Sequence, residues 1–533
     1  MAQLRYSFHE GDHKYMLVTL PTLIQGISVE YANTIAAIPI RALAYDSRRV
    51  QPGTLFIAIK GFHTDGHLFI EQALGRGAAA VVYEDSAWDG RIAVPAVRVN
   101  NARTALASIA AAYYAFPAAA LRVIGITGTD GKTTTTMLTS VALEAGGHTT
   151  GLMGTVDFKI AGRLWANETR QSTPEAPEVQ AMLHEMASAG CSRAVLEATS
   201  HALSAQWNRL GRCLFDVAVL TNVTHEHLDY HGSVEQYRRD KARLFELLGE
   251  QLDSESGRAT HASEVDKISK FAIVNADDPH HAMFLEAAPA SAQRLSYAVH
   301  QPADIRATNI ISTRDGLRFT VHTPWGIRPV ALQLTGDFNV HNSLAALTVA
   351  LAEGVDIDVA LAALAGVPGV RGRMQRIEAG QPFTVLVDYA HTPGSFEKLM
   401  SIVRPLTPGR LIAVFGSAGE RDREKRPLQG AMAARYCDLI VVTDEDPRLE
   451  DRHAILQQIA AGAEAEVRRS GRACECWQIA DRRAAIRAAF EAAQAGDIVL
   501  LLGKGHEGSI IYADGKMAWD EAAEARAALG TLL

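Results

Sequence analysis

Short apolar runs rich in Val, Ile and Leu alternate along this chain with longer Ala- and Leu-rich stretches, and the alternation predicts parallel α/β architecture. Seven runs read as buried strands: RVIGIT (122–127), RAVLEAT (193–199), FDVAVLT (215–221), FTVLVDY (383–389), RLIAVFG (410–416), DLIVVT (438–443) and DIVLLLG (497–503). Nearly every one runs straight into a cluster of Gly, His, Asp, Glu, Lys or Arg. Open parallel sheets bind ligands beyond the carboxyl ends of their strands, so these clusters are expected to converge on one site.

At 533 residues the chain exceeds what one core holds. Breaks fall at AAYYAFPAAALRV, around Pro117, and at the Gly/Pro-rich AGVPGVRGRMQ, which predicts domains over 1–116, 117–368 and 369–533. The polar stretch GEQLDSESGRATHASEVDKISK reads as a surface excursion within the second. Hydrophobic content of 48% with 21% charged residues argues against extended disorder. A net charge of −8 gives no basic footprint for nucleic acid. The five cysteines show no CxxC spacing and fit reduced thiols; Cys474 and Cys476 alone make a weak metal clip. With no signal-peptide pattern and no membrane-length apolar run, a soluble cytoplasmic protein is expected.

The sharpest local signal is IGITGTDGKTTTT (124–136). A strand, a glycine turn and a helix start present backbone N–H groups and a positive dipole end to an anion. Lys132 would reach the β- and γ-phosphates and the Thr133 hydroxyl would ligate Mg²⁺. The usual spacing places a glycine where this chain has Ile126, although Gly125 and Gly128 bracket the turn. The plain alternative is a Gly-rich strand–helix connection.

The other clusters are individually ambiguous. Glu197 in LEATSHAL suits either a divalent ion or a helix-capping group. His225, His227, Asp229 and His231 crowd TNVTHEHLDYHG without the cysteine or HExxH context of zinc; an Mg²⁺ shell is the other reading. Asn339 and Asn342 open an Ala-rich helix, as a cap or as amides facing a purine edge. Downstream stand Asp388 and His391 (VDYAHTP), the charged FGSAGERDREKRP, Asp446 and Arg448 (TDEDPR), and Lys504, His506 and Glu507 (GKGHE). Mixed carboxylates and guanidinium groups suit an amino-acid ligand, and the position of ERDREKR after a strand and glycine turn argues against a merely solvated face.

The ordered set GTDGKT, STPE, ExxSHAL, TNxxxxHLDYHG, GxFNVxN, DYAHTP, ERDxxKRP, DPR and GKGHE resembles the Mur ligase family across nearly the full chain. The family's short loop form, T-G-T-N/D-G-K-T, accounts for Ile126. The resemblance implies an α/β three-domain architecture: an N-terminal UDP-binding domain, a central P-loop ATPase and a Rossmann-like C-terminal domain for an amino acid. It implies ATP and Mg²⁺ as cofactors and a cytoplasmic ligase, expected to be a monomer, with no nucleic-acid or membrane partner. The implied reaction joins a diamino acid to UDP-MurNAc-L-Ala-D-Glu through an acyl phosphate.

Carried over by position, the resemblance implies Lys132, Lys241 and His227 as catalytic, with Lys241 carbamylated. Gly128, Thr129, Asp130, Gly131, Lys132, Thr133, Thr134, Asn339, Asp388 and His391 would bind ATP, and Thr133, Glu197, His227 and carbamylated Lys241 would serve the metal. Ser47, Phe62, His63, Ser172, Thr173, Ser200 and Arg209 would contact the UDP-MurNAc-dipeptide; the family often has histidine where Phe62 stands, and the spacing around Arg209 is slightly long. Arg421, Asp446, Arg448, Gly503 and Glu507 would hold the diamino acid. The motif D-N-P-R of diaminopimelate enzymes reads here Glu445-Asp446-Pro447-Arg448. Retained Arg448 favours meso-2,6-diaminopimelate, whereas the extra charge of Asp446, placed to neutralise Arg448, favours lysine or ornithine. Rival readings are a folylpolyglutamate synthase-like ligase and a non-ligase P-loop protein.

Overall fold

All seven apolar runs form strands in the structure, a computed structural model that describes residues 18–61, 64–169, 171–224, 228–251, 269–313 and 316–532. The chain divides into two compact units, Met1–Asp304 with Ala345–Asp356, and Ile305–Leu344 with Ile357–Leu533. Three of the seven strands lie in the first unit and four in the second.

The first unit holds two sheets. Strands β1 (Val29–Ala32), β2 (Ala42–Ala44), β3 (Thr54–Ile57), β4 (Ala78–Tyr83) and β5 (Ala96–Val99) assemble in the order β1-β5-β4-β3-β2, with only β1 antiparallel. Helix Ala102–Tyr113 follows, capped by the Asn101 side chain, and left-handed Ala115 and Phe116 then reverse the chain just ahead of Pro117. The larger sheet comprises β6 (Arg122–Thr127), β7 (Thr150–Met153), β8 (Asp157–Ile160), β9 (Arg163–Ala166), β10 (Arg193–Glu197), β11 (Val217–Leu220), β12 (Phe271–Asn275) and β13 (Gln293–Ala298). Their order is β13-β12-β11-β6-β10-β7-β8-β9, parallel from β13 to β7 and closed by an antiparallel meander. Both faces are covered, so β6 and β11 are buried at every position, which is why they read as unbroken apolar runs. At the amino end of these strands, buried Glu353 binds Arg122 at 2.7 Å and Arg193 at 2.6 Å. The carboxyl end carries the loops.

The second unit begins with an antiparallel meander of β14 (Ile305–Thr313), β15 (Gly316–Thr323) and β16 (Gly326–Leu332). Its main sheet contains β17 (Gln375–Ile377), β18 (Thr384–Asp388), β19 (Leu411–Phe415), β20 (Leu439–Val442), β21 (Glu475–Gln478) and β22 (Ile498–Leu502) in the order β17-β18-β22-β19-β20-β21, with only β17 antiparallel. A hairpin of β23 (Ser509–Tyr512) and β24 (Gly515–Ala518) precedes the last helix, Glu521–Gly530. Fully buried Arg482 pairs with Glu521 at 2.6 Å and donates to the carbonyls of Asp444 and Leu502, which tethers the exits of β20 and β22 to that helix. Among the described residues no helix is long and apolar enough to cross a membrane.

Candidate active site

Ile126 is a core strand residue, paired with Glu197 on one side and Val219 on the other. The turn begins two residues later, at Gly128 with φ +151°, where a Cβ would lie 1.8 Å from Thr221 Oγ1, so only glycine fits. Gly131 (φ +82°) then starts helix Lys132–Ala145, whose first-turn N–H groups have no intrahelical acceptors. Thr133 is half-buried and Thr134 buried in that turn. The neighbouring strand exit staples the loop. Thr129 N–H donates to Asn222 O at 2.8 Å, Asp130 N–H to Asn222 Oδ1 at 3.0 Å, and Thr221 Oγ1 to Asp130 O at 2.6 Å. Asp130 itself is exposed, whereas the Thr129 hydroxyl is buried 3.0 Å from Tyr237 OH.

Two lysines meet on this loop. Lys132 Nζ donates to the carbonyls of Gly128 (2.9 Å) and Thr129 (2.8 Å), and buried Lys241 Nζ donates to the same Gly128 oxygen at 2.6 Å, over the Tyr237 ring. One neutral oxygen thus serves two ammonium groups, an arrangement that favours an anion between or upon them.

Glu197 is buried at the end of β10 and accepts from Thr155 N–H (3.1 Å) and the Thr155 hydroxyl (2.6 Å), which lies 2.7 Å from Ser172 Oγ. Thr199, not Glu197, caps the short helix Ser200–Leu203. Thr173 Oγ1 donates to Glu197 O at 2.8 Å, and Arg209 donates to Thr173 O at 3.0 Å while pairing with Glu175 at 2.9 Å. Ser172, through Thr155, and Thr173 therefore meet at Glu197, Arg209 joins them through Thr173, and Ser200 Oγ lies against His231 Nε2. Ser47 lies in the smaller sheet's region, donating to Gln72 Oε1. Phe62, His63 and His227 fall outside the described residues, as does most of the polar stretch 249–270.

A cleft of about 410 Å³ beside the loop is lined by Asn222, Thr224, Arg238, Asn275, Asp277 and His280. Sequence reasoning passed over its VNADDP stretch, although it follows strand β12 as the recognised clusters follow theirs. Among the described residues no group of three or more His, Cys, Asp or Glu is set to hold a metal. The hard oxygen donors Thr133 and Glu197 do suit Mg²⁺, which commonly takes only one or two carboxylates and completes its shell with phosphate and water.

In the second unit, β18, β22, β19 and β20 release their loops at one end of the sheet. Asp388 accepts from Met374 N–H (2.7 Å) and Ala390 N–H (2.8 Å); burial nevertheless pushes its carboxyl up. His391 donates Nδ1–H to Tyr389 O at 3.0 Å, and burial lowers its basicity. Asn339 and Asn342 both lie inside helix Phe338–Ala352 and not ahead of it, and Asn339 donates to Thr335 O and accepts from Asn342. ERDREKR is mostly a solvated face after all, exposed from Glu420 to Glu424, because its helix starts only at Lys425. Arg421 is exposed, while Arg426 is buried against Glu450, whose carboxyl it holds down to about 2.

Asp446 does not neutralise Arg448. Its Oδ1 accepts from the fully buried Lys504 ammonium and from Ile511 N–H, each at 2.9 Å, and Lys504 also pairs with Glu507 at 2.6 Å. Arg448 stands in left-handed backbone (φ +58°), its N–H bound to Ile511 O, and its side-chain Nε is buried with no hydrogen-bond partner among the described residues. Next to them Glu445 is buried below Gly503 (φ +94°), where a Cβ would press within 3.2 Å of Oε2. Burial pushes the Glu445 carboxyl up to about 7, against the attraction of Lys425 and Lys504. Below about pH 4.5 it is neutral in folded and unfolded chains alike; from there to 7 the unfolded chain ionises first, so stability falls across that window. Glu445→Gln should remove about 3 kcal/mol of this decline, read from urea melts at pH 4.5 and 7.5, and an unchanged slope would reject it.

A phosphate loop at the end of one parallel sheet, with a charge-balanced polar pocket at the end of another, defines a multidomain nucleotide-dependent ligase. Residues 39–114 match the catalytic domain of the Mur ligase family, 126–350 the Mur ligase middle domain, and 372–505 the Mur ligase glutamate ligase domain. The chain belongs to the Mur ligase family. A UDP-N-acetylmuramyl-tripeptide synthetase of Roseiflexus sp. (strain RS-1) is 69% identical over 92% of this chain and 95% of its own. A UDP-N-acetylmuramoyl-L-alanyl-D-glutamate–2,6-diaminopimelate ligase of Geobacillus kaustophilus (strain HTA426) is 40% identical over 96% of this chain and 99% of its own. A solved ligase of the latter name superposes with a TM-score of 0.67 at 31% identity, covering 97% of this chain and 99% of that one. Solved folylpolyglutamate synthases, at 18–19% identity, share the fold alone.

Proposed function

We propose that this ligase adds meso-2,6-diaminopimelate to UDP-MurNAc-L-Ala-D-Glu, at the expense of ATP, as a cytoplasmic monomer. In this reading 1–116 serve the UDP moiety, 117–368 ATP and 369–533 the amino acid. The observation that carries the choice of amino acid is Arg448: its Nε is buried without a hydrogen-bond partner among the described residues, while Asp446 and Glu507 both turn to Lys504. A guanidinium so placed suits the distal carboxylate of diaminopimelate and repels the distal ammonium of lysine or ornithine. Some relatives carry diaminopimelate in their names, whereas the 69%-identical one names no amino acid.

Backbone N–H groups at the start of helix Lys132–Ala145 and Lys132 hold the transferring phosphate, with Asn339, Asp388 and His391 as further ATP contacts. Mg²⁺ held by Thr133, Glu197 and His227, with carbamylated Lys241 supporting, would supply charge neutralisation. The D-Glu γ-carboxylate, positioned through Ser172, Thr173, Ser200 and Arg209, attacks the γ-phosphorus and releases ADP. The diamino acid's amine then attacks the acyl carbon, loses a proton and expels phosphate, so catalysis is mainly positioning and electrostatics. Arg421, Gly503 and Glu507 complete the amino-acid pocket beside Arg448.

Phosphate release measured with UDP-MurNAc-L-Ala-D-Glu and meso-diaminopimelate, L-lysine or L-ornithine in turn tests this. Fastest release with diaminopimelate is expected. Faster release with lysine rejects the amino-acid choice, and release indifferent to the UDP-dipeptide rejects the acceptor.

A further inference from the structure

A chain of hydrogen bonds, buried from Asp240 inward, ends on Ser200. Its Oγ lies 3.1 Å from His231 Nε2; His231 Nδ1 lies 2.6 Å from Asp240 Oδ2; and Asp240 Oδ1 accepts from Gln236 Nε2 at 3.0 Å. Ser200, His231 and Asp240 are exposed by only 2%, 7% and 7%. The imidazole is wedged edge-on between Tyr230 and Tyr237, with centroids at 4.5 and 5.1 Å, and approaches His201 at 5.3 Å. No role in the proposed reaction has so far fallen to His231 or Asp240.

The backbone at Ser200 is fixed by the Thr199 cap, but a serine hydroxyl still rotates about two bonds. Asp240 accepts the Nδ1–H and sets the ring's orientation, and Nε2 then sets the hydroxyl's. A brace between two helices could be built from apolar side chains at no polar desolvation cost. This chain instead ends a directional relay on Ser200, the residue after Thr199, whose N–H reaches Thr173 Oγ1 at 3.4 Å.

We propose that His231, oriented by Asp240, is a positioning residue that fixes the Ser200 hydroxyl against the muramoyl-dipeptide substrate. The inference rests on the reading of Ser200 as a contact to that substrate.

The test is a double-mutant cycle on the full-length enzyme, reading KM for UDP-MurNAc-L-Ala-D-Glu at saturating ATP and diaminopimelate. Ser200→Ala and His231→Asn are each expected to raise that KM about tenfold, the loss of one well-made hydrogen bond, with kcat within about twofold. Asn at 231 still meets Asp240 but is too short for Ser200. The double variant is expected to be no worse than either single, and His231→Gln, whose amide reaches Ser200, to recover to within about threefold of wild type. Additive effects, about a hundredfold in the double, would overturn the inference, as would equal rises in KM for ATP and diaminopimelate. If Ser200→Ala leaves KM unchanged, the substrate reading of Ser200 falls with it; if Ser200→Ala matters and His231→Asn does not, only the inference falls. Should His231→Asn fail to fold by thermal melting, the cycle is run with Asp240→Asn, which keeps an acceptor for Nδ1–H, where a rise of about threefold coupled to Ser200 is expected and additivity again overturns it.

Discussion

Lys241→Ala is expected to lower turnover about a thousandfold and to regain part of it in acetate or another small carboxylate. The geometry makes the site sensitive. Lys241 is buried with its Nζ 2.6 Å from the Gly128 carbonyl, and Lys132 shares that acceptor at 2.9 Å. Two cations on one neutral oxygen repel one another, and carbamylation would turn the second into an anion facing the first. Alanine deletes the charge and leaves a hole that a free carboxylate can enter. Phosphate release with and without acetate reads the result. A variant as active as wild type removes Lys241 from catalysis, and an inactive one that no carboxylate revives removes the carbamate.

Arg448→Ala should raise KM for meso-diaminopimelate about a hundredfold, the scale of losing one partner of a desolvated charge pair. The same change should leave KM for L-lysine within about threefold of the wild-type value, because lysine has no distal carboxylate to lose. Equal effects on both amino acids would mean that Arg448 supports the loop rather than reads the substrate. Its left-handed backbone makes that alternative concrete, so Arg448→Lys, which keeps the charge but not the planar fork, is the useful companion and should fall between.

How far the chain could be read in advance follows from burial. Strands such as β6, β11 and β19 are covered on both faces, and their sequences are apolar without interruption. Meander strands carry a weaker mark: β14 alternates buried and exposed positions over a longer, mixed run, and the hairpins are signalled only by short turn dipeptides such as Asp514-Gly515 where β23 turns into β24. The loop was legible for the same reason as the strands, since Gly128, Lys132 and Thr133 are contiguous. The pairings that give the site its chemistry are not. Thr155 reaches Glu197 across 42 residues, Lys504 reaches Asp446 across 58, and Asn222 reaches Asp130 across 92. No local pattern fixes such a partner, and so Asp446 reads as a neutraliser of nearby Arg448 until the fold brings in Lys504.

The tether from Arg482 to Glu521 gives this pocket an order of birth. Strand β22 lies between β18 and β19 in the sheet, although some hundred residues separate it from β18 in the chain. Glu521, which balances the guanidinium holding the exits of β20 and β22, is later still. During synthesis this pocket must therefore remain incomplete until Glu521 has emerged. Its central strand emerges before its anchor, so a chain interrupted between β22 and Glu521 carries a buried, unpaired Arg482 beside Asp444 and Leu502.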